Sequence, residues 1–116
     1  MSQDNTNSLS LDGKQIALDP EGFLVDLHDW SEPLAVELAR GEGLVLTAEH
    51  MDVIRVLRQF YATYQLSPAM RPLVKYVGQQ LGADKGTSLY LLKLFPGSPA
   101  KLASKLAGLP KPDNCL

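Results

Sequence analysis

Between Ser10 and Asp26 the chain reads SLDGKQIALDPEGFLVD, short apolar pieces separated by turn-forming residues. Asp12-Gly13 is a hairpin signal and Asp19-Pro20-Glu21-Gly22 a second turn, so strands are predicted around 9–11, 14–18 and 23–26. A meander this small buries too little to stand alone in water and must pack on the rest of the chain. From residue 31 the apolar spacing becomes helical. Ser31 is placed to cap a helix whose Leu34, Ala35, Leu38 and Ala39 form one stripe, with Pro33 tolerated in its first turn. Gly41 and Gly43 end it. Thr47 caps the longest helix, with Glu49 in its positive first turn. Val53, Ile54, Leu57, Phe60, Tyr61 and Tyr64 give that helix a face wide enough for the centre of a core. Ser67-Pro68 opens the third, but Pro72 predicts an irregular first turn and a regular helix only over about 72–81, stopped by Gly82. A fourth is expected over 87–95, before Pro96-Gly97. The fifth opens on Ser98-Pro99 and aligns Leu102, Ala103, Leu106 and Ala107, with Gly108 where a left-handed cap is wanted.

The pattern predicts an α+β fold, a small N-terminal antiparallel β meander packed on an array of about five helices. Residues 1–9 read as a disordered polar leader, 10–108 as a single domain and 109–116 as a mobile, Pro-rich C-terminal arm. Pro110 and Pro112 lock φ and bias their predecessors toward extended geometry, which predicts a stiff, outward-reaching tail. In polyproline II geometry the stretch from Pro110 to Cys115 spans roughly 15 Å, enough to enter another protein's cleft.

Composition narrows the class. With 116 residues, 45% of them hydrophobic, the chain is sized for one soluble globular domain, and no apolar run approaches a membrane span. The single cysteine excludes an internal disulfide, and the polar start lacks the marks of an export signal, so a reducing cytoplasm is expected. The net charge of −2 conceals an asymmetry. Residues 1–69 hold four basic and eleven acidic side chains, residues 70–116 seven basic and two acidic. Such polarity fits a docking face or a phosphate-bearing partner near the C-terminal half, or simply solvated helix faces, and charge alone favours the last.

The chemistry concentrates on Cys115. Two prolines, Asp113 and Asn114 separate it from any packed element, so a core role fits poorly. Prenylation needs three residues after the cysteine, and only Leu116 comes after it. Dithiol redox work needs a resolving cysteine, and zinc needs converging ligands, whereas His28 and His50 are far off in sequence. A hydrolase would need a cleft and oxyanion donors. Exchange between proteins remains, with a sulfane sulfur as a natural cargo. The carboxylates of Leu116 and Asp113 disfavour the thiolate and Lys111 only partly offsets them, so reactivity is expected to depend on a partner's basic pocket.

A second constellation, QFYATYQLSPAMRPLVKYVGQQ, has a helix–turn–helix outline. Arg71, Lys75 and Gln79 form a polar stripe at helical spacing. Two cations are a thin footprint for a duplex and the pI is 5.6, which favours a solvent face over a recognition helix. The stripe stays open as a protein-docking surface or a cradle for the acidic end of the tail. Trp30, just before a helix cap, is expected to pack against the following turn, and His28 is given no role.

The segments DPEGFL, WSEPLA, SPAMRPLVKYV and GLPKP, together with the penultimate Cys115, resemble the DsrC/TusE family of sulfur-relay proteins, from about Leu11 to Leu116. The resemblance implies the same α+β fold and makes Cys115 the sulfur-carrying residue. Sulfite-reductase-associated members carry a second cysteine eleven positions before the penultimate one, where this chain has Ser104. No disulfide or trisulfide can then form within the arm, and the single cysteine resembles the TusE branch. That branch implies a sulfurtransferase that takes a persulfide sulfur from a TusBCD-like complex. It hands the sulfur to the tRNA 2-thiouridylase, which thiolates the wobble uridine. The expectation includes no cofactor, no metal, no membrane and no sequence-specific nucleic-acid binding. Lys101, Lys105 and Lys111, with Arg71 and Lys75, are the candidate docking or activating cations. The alternatives are a gamma subunit of a dissimilatory sulfite reductase and a helix–turn–helix nucleic-acid-binding protein.

Overall fold

The computed structural model describes residues 7–113. Strands β1 (Asn7–Leu11) and β2 (Lys14–Leu18) pair antiparallel, with Asn7 opposite Leu18 and Leu11 opposite Lys14. Asp12 and Gly13 both adopt positive φ, 51° and 80°, as a two-residue hairpin of the matching twist requires. Residues 7–9 of the expected leader therefore belong to the ladder, and residues 1–6 lie outside the described residues. The expected third strand shrinks to one bridge, Leu18 to Leu24. Asp19 is the reason: its Oδ1 accepts from the N–H groups of Glu21 at 2.8 Å and Phe23 at 2.9 Å. Those bonds curl the segment into a closed turn, which buries Phe23 and Leu24 and leaves Glu21 exposed.

Beyond the hairpin lie five helices: α1 (Glu32–Gly41), α2 (Ala48–Tyr64), α3 (Met70–Leu81), α4 (Ser88–Leu94) and α5 (Pro99–Leu106). Ser31 caps α1 by accepting from the Leu34 N–H at 3.2 Å. At the start of α2 the capping box is closed by a histidine. Thr47 Oγ1 accepts from the His50 N–H, and His50 Nδ1 accepts from the Thr47 N–H at 3.0 Å. With Nδ1 an acceptor, Nε2 carries the proton and donates to the Leu94 carbonyl at 2.7 Å. This buried imidazole joins the start of α2 to the end of α4.

Two expectations about the helices need correction. Helix α3 begins at Met70, two residues before the expected regular helix, with Ala69 as its N-cap. Pro72 then occupies the third helical position, whose N–H has no partner within a helix in any case. Tyr64 is half exposed and not in the core; it stacks beside Phe60 at 4.5 Å and faces Tyr76. The fully buried face of α2 thus ends at Phe60, with Tyr61 packed partly buried against the core.

Helix α5 contacts each of the other four helices, and its buried face of Ala100, Ala103, Ser104 and Leu106 closes the core. Its packing matters for function because it carries the C-terminal arm. No helix among the described residues is long and apolar enough to cross a membrane.

Candidate functional site at the root of the C-terminal arm

The exit from α5 is built by its last residues. Gly108 has φ +72°, the Gly108 N–H donates to the Lys105 carbonyl at 3.1 Å, and the Leu109 N–H donates to the Ser104 carbonyl at 3.0 Å. This pair of bonds is a Schellman cap, with Leu109 buried as its apolar contact. The cap leaves two terminal carbonyls, and side chains from elsewhere take both. Trp30 Nε1 donates to Leu106 O at 2.9 Å, and Arg58 Nη1 donates to Ala107 O at 2.7 Å. The Arg58 guanidinium lies 4.0 Å from the Trp30 ring centroid, and burial pushes its pKa down. Trp30, expected against its own following turn, instead turns its indole onto Gly108 and the end of α5.

Beyond the cap the arm was expected to project from residue 109. Residues 109–112 lie on the body instead, with Leu109 and Pro112 buried. Three interactions account for this. Leu109 completes the cap, Ser67 Oγ donates to the Pro110 carbonyl at 2.5 Å, and Lys111 Nζ meets Glu21 at 3.1 Å. The Pro110 carbonyl and the intervening Lys111 fasten the stretch that was expected to project. Asp113, the last described residue, is exposed and lines a shallow groove with Tyr61, Gln65 and Leu66. Cys115, Asn114 and Leu116 lie outside the described residues.

The candidate cations divide into two groups. Lys101 and Lys111 converge on Glu21 at 3.6 and 3.1 Å, and Lys105 pairs with Glu42 at 3.0 Å. Part of the opposite charge of the two halves is thus satisfied inside the fold. Arg71 and Lys75 stand apart on the exposed face of α3, opposite its buried Leu73 and Val77, and pair with no carboxylate among the described residues. The solvent-face reading of the stripe holds, and the described arm is fastened by Glu21 and Ser67, not by that stripe.

Glu21 makes the arm contact pH-dependent. The hydrogen bond from Lys111 holds its carboxyl below the ordinary range. A carboxyl lowered by folding contributes stability above its unfolded pKa and loses it as pH falls through the folded value. The contact is therefore complete at neutral pH and is lost only as acid protonates Glu21, below the ordinary carboxylate range. In an NMR titration the Lys111 amide should shift together with Glu21; an Lys111 amide that ignores the Glu21 transition would contradict the contact.

Ser104 is fully buried, and its hydroxyl has no hydrogen-bond partner among the described residues. An unpaired buried hydroxyl is costly, so Ser104→Ala should raise stability by about 1 kcal/mol in urea unfolding. The interior of α5 thus offers a hydroxyl, not a thiol, eleven residues before Cys115.

Comparison with known proteins adds to this geometry. Residues 10–116 match the family model described as DsrC like protein. The sulfurtransferase TusE of Escherichia coli strain K12 is 50% identical over 108 residues, 93% of this chain and 99% of that protein. Sulfurtransferase TusE of Salmonella typhimurium matches to the same extent. Among solved structures, DsrC of Allochromatium vinosum superposes with a TM-score of 0.88 at 49% identity, covering 96% of this chain and 99% of that one. The oxidised gamma-subunit of the dissimilatory sulfite reductase (DsrC) from Archaeoglobus fulgidus gives 0.80 at 39% identity, over 95% and 100%.

Proposed function

Because the chain belongs to the DsrC-like family, we propose that it is a sulfurtransferase whose Cys115 carries sulfur as a persulfide. The observation that supports this most is the solitary thiol: Cys115 is the only cysteine, and it lies beyond an arm rooted in the core through α5. In the first step the Cys115 thiolate attacks the outer sulfur of a donor persulfide. The donor's S–S bond breaks, a new S–S bond forms on Cys115, and the donor leaves as a thiolate. Delivery repeats the exchange: an acceptor thiolate takes the outer sulfur and Cys115 returns as a thiolate. No net oxidation occurs at either step, so one thiol suffices.

We further place the protein in the relay for 2-thiolation of the tRNA wobble uridine. It would take sulfur from a TusBCD-like complex and pass it to the tRNA 2-thiouridylase, in the cytoplasm where tRNA is modified. Identity to the TusE sulfurtransferases over nearly their whole length supports this branch. So does Ser104, since a cycle that closes a disulfide within the arm needs a second cysteine. The test is reconstitution: donor complex, this protein, thiolase and tRNA, with thiolated tRNA read by mercury-gel retardation. Thiolation that depends on this protein supports the relay. Loading of the protein without any thiolated tRNA would remove this end point while leaving the carrier chemistry intact.

A further inference from the structure

Trp30 and Arg58 carry no sulfur chemistry, yet they converge on the two peptide groups from which the arm departs. Solvent ordinarily satisfies the last carbonyls of a helix. Here two elements distant in sequence supply one donor each to consecutive carbonyls, at 2.9 and 2.7 Å. The donors are stacked on one another, so neither can turn away alone. The Arg58 charge also sits at the negative end of the α5 dipole. A third contact lies at Gly108, where an added Cβ would fall 2.7 Å from Trp30 Cγ and 2.8 Å from its Cβ. The indole thus covers the positive-φ residue through which the chain leaves the helix.

We infer that Trp30 and Arg58 are positioning residues, a fixed pivot that sets the direction in which the arm delivers Cys115. The inference rests on Cys115 being the carrier. The described fastenings further along include a hydroxyl bond and an exposed ion pair, whereas the pivot is tied to α2 and α5. Exposed pairs of that kind add little to stability. Once they open, the arm can leave the body beyond Leu109, which stays buried in the cap. Seven residues then separate the pivot from the thiol, up to about 23 Å of chain, so a 10° error in exit angle moves the thiol by about 4 Å. Sulfur exchange needs the attacking and leaving sulfurs in line, and errors far smaller than that slow such reactions.

The chain holds one tryptophan and one cysteine, which allows a direct test. A fluorescent acceptor alkylated onto Cys115 reports its distance distribution from Trp30 by time-resolved energy transfer. Arg58→Met should broaden that distribution and speed hydrogen exchange of the Trp30 indole N–H. It should lower kcat/KM for sulfur transfer from the donor complex roughly tenfold to a hundredfold, through kcat. Alkylation of Cys115 by iodoacetamide should keep its rate. Arg58→Lys retains the charge and a donor but not the planar stack, and should recover part of the loss. An unchanged distance distribution and unchanged transfer in folded Arg58→Met, with only a lower unfolding midpoint, would overturn the inference. Should Arg58→Met not fold, the same readings on Arg58→Lys decide it, a wild-type distribution and rate counting against the pivot. The energy-transfer result stands whether or not wild-type protein loads sulfur, so failure of the carrier reading is separately visible.

Discussion

Cys115→Ser is expected to reduce sulfur transfer to background in the reconstituted relay. The chain has no other thiol to take over. A serine hydroxyl titrates far above the ~8.5 of a free cysteine, so almost none of it is ionised at neutral pH, and oxygen does not hold a sulfane sulfur as a transferable persulfide. The loss should therefore be complete and not graded. Urea unfolding of the variant, compared with wild type, checks that the loss is chemical. Transfer persisting above background would remove Cys115 from the mechanism.

The second large effect falls at Gly108. A valine there must hold φ near +72° and place its Cβ inside the space of the Trp30 side chain. The left-handed conformation costs a β-branched residue on the order of 1–2 kcal/mol, and overpacking adds about 1–3 more. Gly108→Val should therefore lose about 3 kcal/mol, read as a lower urea midpoint. Transfer should fall as well, because relief of the clash requires either the indole or the arm to move. Wild-type stability in Gly108→Val would mean that Trp30 does not cover Gly108 as described. Gly22, also at positive φ, is a useful contrast: an added Cβ there meets only the end of Lys105, at ordinary contact distances of 3.5–3.8 Å.

Much of the fold was legible because its signals are local. Ser31 and Thr47 cap the helices they were expected to cap, Gly82 ends α3, and Gly108 ends α5 in the left-handed region. Local signals also misled where two competed. Pro72 was counted from Ser67, while the helix takes Ala69 as its cap and leaves Ser67 to hold the arm. The apolar run after Gly22 suggested a strand, but the Asp19 turn bends it too tightly for a ladder.

The site divides in the same way. Cys115 stands out in the sequence because it is solitary and comes after two prolines. Trp30 and Arg58 do not, since their bonds span 76 and 49 residues and no spacing rule encodes them. The charge asymmetry left a partner face and solvated helix faces both open, and neither anticipates that Glu21 and Glu42 take up Lys101, Lys105 and Lys111 within the fold. Only the tertiary arrangement shows which candidate cations have no carboxylate partner among the described residues, and those are Arg71 and Lys75.

The central claim, that one thiol on this arm carries sulfur, is tested most directly by intact mass. The protein is incubated with cysteine, a cysteine desulfurase and the donor complex, then weighed without reductant. A gain of one sulfur atom is expected, reversed by dithiothreitol and absent from Cys115→Ser. No gain with an active donor complex, or the same gain in Cys115→Ser, would contradict it.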